Sequence, residues 1–117
     1  MSKPWQPYAL HILDAIEKVR RIQDRGDLTQ DDILYDAALR NLQTLSEATQ
    51  WLPDDKKSSC PDIPWREISG FRNILVHNYL GNIDPQTVVG VIEKNLEPLE
   101  ACVRRMLADS GDRLPDS

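Results

Sequence analysis

Phe71-Arg72-Asn73-Ile74-Leu75-Val76-His77-Asn78-Tyr79-Leu80 sets polar, chemically capable side chains into an apolar helical pattern, and its reading decides the fold. An α-helix advances about 100° per residue, so with Arg72 at zero Asn73 falls near 100°, His77 near 140° and Tyr79 near 340°. Ile68, Phe71 and Leu75 fall between about 260° and 320°, a core-facing side nearly opposite Asn73 and His77. Starting the helix at Pro64 puts Arg66 near 120°, in the same polar stripe. Val76 and Leu80 flank that stripe. Two apolar side chains beside a cationic strip, on the side away from the core, predict that the strip faces another protein surface rather than open water.

Outward from this stretch the helical period persists in both directions. Downstream, Gly81 ends the helix, and Asp84-Pro85 reads as a cap and first-turn proline that open the next one. There Val88, Ile92, Leu96, Leu99, Val103 and Met106 recur at three- and four-residue steps, with Pro98 inside the run predicting a kink. Upstream, Pro53 to Asp62 is a loop by composition, and Trp65 is expected to be buried at the base of the organising helix. Before the loop, Leu34, Ala38, Leu45, Ala48 and Leu52 form one apolar stripe and Tyr35, Leu39 and Leu42 a second edge, with Thr29 as the expected cap. Asn41 lies within the stripe, where its amide requires a hydrogen-bond partner, and Asp36 and Arg40 are placed to pair on the polar face. The first helix spans Tyr8 to about Arg25 on Ile12, Ile16, Val19 and Ile22, after an extended lead-in at Pro4 and Pro7; Gly26 and Asp27 close it. His11, at the edge of its apolar face, reads as a packed or partly exposed histidine without a catalytic role.

Amphipathic helices joined mostly by short connections predict an all-α, antiparallel four-helix bundle, with a short extra turn possible before the organising helix. The expected arrangement is a single domain over residues 1–109 and a disordered tail over 110–117. No apolar run approaches the length of a membrane span and no signal peptide is evident, so the expectation is a cytoplasmic protein without a membrane partner. The formal net charge of -5 argues against generic nucleic-acid binding, so any such contact needs a local cationic patch or a basic partner. Cys60 and Cys102 are not in metal-binding spacing and are expected as two buried or free thiols; no metal site or cofactor is expected.

The segment Ile63-Pro64-Trp65-Arg66-Glu67-Ile68-Ser69-Gly70-Phe71-Arg72-Asn73, running into His77-Asn78-Tyr79, resembles the HepT-like branch of the HEPN superfamily. Leu39-Arg40-Asn41-Leu42 with Ser46-Glu47-Ala48 resembles that family's second helix, and Asn95-Leu96-Glu97-Pro98-Leu99 its last. The resemblance implies a HEPN-type bundle and a ribonuclease toxin of a toxin-antitoxin pair, acting on transfer or messenger RNA. It further implies a homodimer, and a cognate minimal nucleotidyltransferase antitoxin that silences the enzyme by attaching AMP to Tyr79. Ile74 stands where some relatives carry a basic residue, and Ser46 where some carry glycine.

The residues suit such chemistry. RNA carries its own nucleophile, the 2'-hydroxyl, so the protein has to supply only proton transfer and charge stabilisation, without a metal. His77 moves protons near neutral pH, Arg72 grips the scissile phosphate with a planar fork, and Asn73 hydrogen-bonds imidazole or phosphate. Arg66 is a further RNA contact, and Val76 and Leu80 are dimer-interface candidates. On the wheel, Arg72 lies about 140° from His77, so one protomer holds an incomplete site and a two-fold dimer would assemble a composite one. The alternative is a non-catalytic HEPN module that binds nucleotide or scaffolds a nucleotidyltransferase, a reading the acidic charge favours.

Overall fold

The computed structural model of the chain describes residues 4–70 and 84–110, and among these the regular structure is entirely helical. Helix α1 spans Gln6–Arg25, α2 Asp32–Thr49, α3 Asp54–Ser58 and α5 Pro85–Asp109; residues 65–70 are helical and are called α4. The architecture is an all-α HEPN-type bundle. The short helix α3 supplies the extra turn expected ahead of the organising helix.

Burial follows the apolar period. On α1, Ile12, Ile16 and Val19 are fully buried, Ala9 and Ala15 are buried with them, and the helix packs against both α2 and α5. On α2, Ala38, Leu42, Leu45 and Ala48 are buried, while Leu34, Tyr35 and Leu39 pack half-buried around them. All six α5 residues picked out by spacing are buried, and Cys102 and Leu107 join them. Each fully buried Ile or Leu contributes about 1.5–3 kcal/mol relative to remaining exposed. Leu28, in the connection between α1 and α2, closes one end of this core. Arg20 on α1 donates from Nη1 to Glu100 Oε1 on α5 at 2.8 Å, and Arg104 approaches the other oxygen at 3.6 Å, a partly exposed clamp worth at most about 1 kcal/mol.

Several helix ends differ from expectation, each for a local reason. Helix α1 begins at Gln6, because Pro7 occupies its first turn, where no amide is needed. Asp31, not Thr29, caps α2: its carboxylate accepts from the amides of Ile33 at 3.0 Å and Leu34 at 3.3 Å. Thr29 instead donates its amide and hydroxyl to Asp27 Oδ1, at 2.9 and 2.7 Å. Helix α2 stops at Thr49, and α5 continues through Pro98, which sits on its exposed side. Solvent there can satisfy the carbonyl that a proline leaves without a partner. The Asn41 amide finds its acceptor in the helix itself, the Ala37 carbonyl at 2.9 Å. Asp36 and Arg40 are both exposed. Ser110 is a helix cap, its hydroxyl donating to the Leu107 carbonyl; residues 111–117 of the expected tail lie outside the described residues.

The cysteines depart furthest from expectation. Cys60 and Cys102 form a disulfide with Cα atoms 6.3 Å apart, an ordinary bridging distance. Residues separated by 42 positions meet because the α3–α4 connection folds down onto α5, and both side chains are buried. The Arg105 guanidinium closes over the bridge, with Nη2 donating to the Ser59 carbonyl at 3.2 Å and lying 2.9 Å from Cys60 Sγ.

Candidate active site

Arg72, Asn73, Val76, His77, Tyr79 and Leu80 lie outside the described residues, whose boundary falls at Gly70. The structure therefore bears on the site through the elements that lead into and out of that stretch. Arg66 lies on α4 and is exposed, consistent with a side chain available to a ligand.

Helix α4 is braced at both of its described ends. Trp65 is half-buried, and its indole Nε1 donates to the carbonyls of Lys57 at 3.0 Å and Cys60 at 3.2 Å, carbonyls at and just beyond the end of α3. The disulfide fastens Cys60 to α5. At the far end of α4, the buried Thr49 hydroxyl donates to the Ser46 carbonyl at 2.6 Å and lies 3.1 Å from Ser69 Oγ, while Gln50 Nε2 donates to the Ser69 carbonyl at 3.5 Å. Ser69 thus hangs on the last turn of α2, three positions before Arg72 in the sequence. A site that must hold an arginine and a histidine in fixed relation gains from such bracing, since small misplacements of reacting groups are costly.

On the outgoing side, Asp84 caps α5 by accepting from the Gln86 amide at 3.2 Å, as its spacing before Pro85 predicts. Burial pushes the Tyr35 hydroxyl above the ordinary tyrosine value, and the nearby carboxylates of Asp36 and Asp84 add to the shift. Tyr35 of α2 therefore lies near the α5 cap.

A groove of about 340 Å³ opens between α2, α4 and α5, walled by Leu42, Leu45, Ile68, Val91 and Leu96 with Glu67 among its polar groups. Among the described residues its lining is mostly apolar, with Ser46, Glu67, Thr87 and Asn95 as the polar members. Among the described residues no three His, Cys, Asp or Glu side chains are grouped to hold a metal ion. No described helix is long and apolar enough to cross a membrane.

One feature escaped the sequence pattern altogether. Trp51, just past the end of α2, stacks on Tyr8 of α1 with centroids 5.2 Å apart and planes inclined by 17°, and is 47% exposed. His11, expected to be packed or partly exposed, is exposed and meets the Tyr8 ring edge-on at 6.4 Å, and Lys56 of α3 sits 5.5 Å above the Trp5 ring. Helical periodicity ranks residues by burial and so passes over an exposed tryptophan. Its signal was the residue type itself, a large aromatic left at the surface.

The fold defines a helical HEPN-type protein whose polar segment follows α4. The chain belongs to the HepT-like ribonuclease family: the family profile described as Ribonuclease HepT-like matches residues 12–106. It is 33% identical over 106 residues to the protein provisionally named RNase TTE0752 of Caldanaerobacter subterraneus subsp. tengcongensis, covering 87% of this chain and 93% of that one. It is 29% identical over 105 residues to the protein of Thermococcus cleftensis named "Probable ribonuclease HepT", covering 86% and 93%. A Methanocaldococcus jannaschii protein, MJ0434, named as a gamma-glutamylcyclotransferase and only provisionally as an RNase, is 29% identical over 114 residues; the match covers 93% of this chain and 50% of that longer one. No solved structure matches the chain.

Proposed function

We propose that this chain is a metal-independent endoribonuclease, the toxin of a HEPN toxin-antitoxin pair, with Arg72, Asn73 and His77 as its catalytic residues. The observation that carries the reading is the Arg72–His77 spacing within a segment inside the family match of residues 12–106. The 2'-oxygen attacks the adjacent phosphorus, the bond to the 5'-oxygen breaks, and the products carry a 2',3'-cyclic phosphate and a 5'-hydroxyl. One histidine takes the proton from the 2'-hydroxyl and another gives one to the leaving oxygen. Arg72 holds the charge that grows on the phosphoryl oxygens. Because one chain offers a single histidine in the polar stripe, the site is composite, formed by two copies meeting beside Val76 and Leu80.

Silencing operates through Tyr79. Its hydroxyl attacks the α-phosphate of ATP on a nucleotidyltransferase antitoxin, pyrophosphate leaves, and the resulting AMP ester sets bulk and negative charge beside the cationic cleft. Intact mass of wild type and Tyr79→Phe after incubation with that partner and ATP checks the acceptor; equal adducts on both would place it elsewhere.

The deciding experiment is cleavage of transfer RNA, with chelator present, by wild type and His77→Ala. Cleavage by wild type alone, leaving cyclic-phosphate ends, supports the reading; equal cleavage by both refutes the role of His77. The net charge of -5 favours a second reading, a non-catalytic module that binds nucleotide or scaffolds the nucleotidyltransferase. Under it, His77→Ala leaves partner binding unchanged and neither protein cuts RNA.

A further inference from the structure

We infer that Cys60 and Cys102 are a reversible thiol–disulfide couple, in which Cys60 is the sulfur that reacts with low-molecular-weight disulfides, Arg105 holds it ready as the thiolate, and Cys102 resolves the adduct. The inference goes beyond the ribonuclease reading and does not depend on it.

The two sulfurs are buried alike but held differently. Cys60 is 6% exposed and Cys102 4%. Cys102 lies inside α5, where its backbone is fixed by a helix of 25 residues. Cys60 lies just past the end of α3, in the connection to α4, among the exposed residues Ser59, Pro61 and Asp62. An irregular surface connection opens locally at a fraction of the cost of unwinding a packed helix. With the bridge open, it is therefore the Cys60 side that can meet a reagent from solvent.

Arg105 supplies the chemistry. Its Nη2 lies 2.9 Å from Cys60 Sγ and donates to the Ser59 carbonyl at 3.2 Å. The second contact ties the guanidinium to the backbone next to Cys60, so the cation stays beside that sulfur when the bridge is open. The Ser59 hydroxyl, which donates to the Lys56 carbonyl at 2.6 Å, is 3.8 Å from the same sulfur. These contacts fall on the Cys60 side of the bridge. A thiolate, not a thiol, attacks a disulfide, and a fixed cation at contact distance favours the thiolate.

In the reduced protein the Cys60 thiolate attacks one sulfur of the small disulfide. A bond forms to Cys60 Sγ, the small disulfide breaks, and one small thiolate leaves. Cys102, after losing its proton to solvent, attacks Cys60 Sγ; the bond to the adduct breaks and the second small thiolate leaves. Two protein thiols are oxidised and one small disulfide is reduced to two thiols, which take up the two protons. The resolving sulfur is within reach, since the two Cα atoms are 6.3 Å apart. The closed bridge fastens the α3–α4 connection to α5, and the open one leaves the start of α4 to the Arg105 contacts and to the Trp65 bonds with the Lys57 and Cys60 carbonyls.

The test adds oxidised glutathione to the reduced chain and reads intact mass after acid quenching, for wild type, Cys60→Ser and Cys102→Ser. Cys102→Ser is expected to collect one glutathione at least about tenfold faster than Cys60→Ser, and wild type to pass through the same adduct to the closed bridge. Adding Arg105→Leu to Cys102→Ser should slow the adduct about fivefold, and Arg105→Lys should recover most of the rate. An arginine that merely pins the connection would give the opposite result, because loosening it exposes Cys60 and speeds the reaction. Thermal melts confirm that the variants fold. Brief alkylation of reduced wild type, with peptide mapping, reads which thiol reacts first without any substitution, and Cys60 is expected to lead. Equal rates at the two cysteines, a faster Cys102, or an Arg105→Leu variant as fast as its parent overturns the inference. So does a reduced wild type that takes no adduct and closes no bridge until denaturant is added, which would make the pair an inert structural bridge.

Discussion

Reducing the Cys60–Cys102 disulfide should cost this chain about 4 kcal/mol of stability. The bridge joins residues separated by 42 positions, and restoring the freedom of a loop that long to the unfolded chain is worth about that amount in the loop-closure treatment. With an unfolding entropy of about 2.1 cal/mol/K per residue, a chain of 117 residues loses about 16 °C in melting temperature. Reduction is the preferred perturbation because it leaves the buried side-chain volumes in place. Thermal or urea melts of oxidised and reduced protein, with free thiols counted in each, measure the difference. Hydrogen exchange should quicken most around Ser59 to Trp65, where the bridge, the Arg105 contacts and the Trp65 hydrogen bonds converge. Equal melting temperatures in samples with none and with both thiols free would refute the argument. The outcome matters for the compartment, because a reducing cytosol holds most such pairs as thiols, with hyperthermophiles the exception. Against a domain stability of about 5–15 kcal/mol, 4 is a large share.

Ile16→Ala, at a position with no exposed surface, should destabilise by about 3 kcal/mol, a fall of about 12 °C in a thermal melt. Asp31→Ala removes the acceptor of the Ile33 and Leu34 amides and should cost about 1 kcal/mol in a urea titration, whereas Thr29→Ala should leave α2 capped. The Thr29 hydroxyl, and then its amide, hold the Asp27 carboxyl below its ordinary value of 3.8. Its contribution is therefore complete above that value and is lost as pH falls through the lower folded one, so Asp27→Asn should flatten the acid limb of a stability-pH profile by lowering stability near neutrality while leaving it unchanged at the acid end.

The bundle was legible because buried positions repeat. Ile12, Ile16 and Val19, then Ala38, Leu45 and Ala48, then Val88 through Met106 recur at helical spacing, and every one of them is buried. Boundaries were less legible where two residues compete for one role. Thr29 and Asp31 are both good caps, and the outcome turned on Asp27 drawing the Thr29 amide and hydroxyl into its own turn. The disulfide left no local trace, since its partners meet only once the α3–α4 connection has folded onto α5. Arg66 is exposed as its place in the polar stripe requires, but the stripe beyond it rests on the sequence. The Trp51 surface was invisible to a periodicity that looks for burial.

RNA binding through the proposed site would have a quantitative signature in an acidic chain. In the proposed composite site each of two protomers offers Arg66 and Arg72, about four phosphate-directed cations in all, so the logarithm of affinity for single-stranded RNA should fall with the logarithm of salt at a slope of about -3. Raising salt from about 50 to 200 mM would then weaken binding only about 50-fold. Titrating a short single-stranded 2'-O-methyl oligonucleotide, which cannot be cleaved, at several salt concentrations gives the slope, and Arg66→Gln should lower it by about 1.4 when both copies are changed. A slope of about -7 in the wild type would require many more phosphate contacts than two pairs of arginines supply, and would move the RNA path away from the polar stripe.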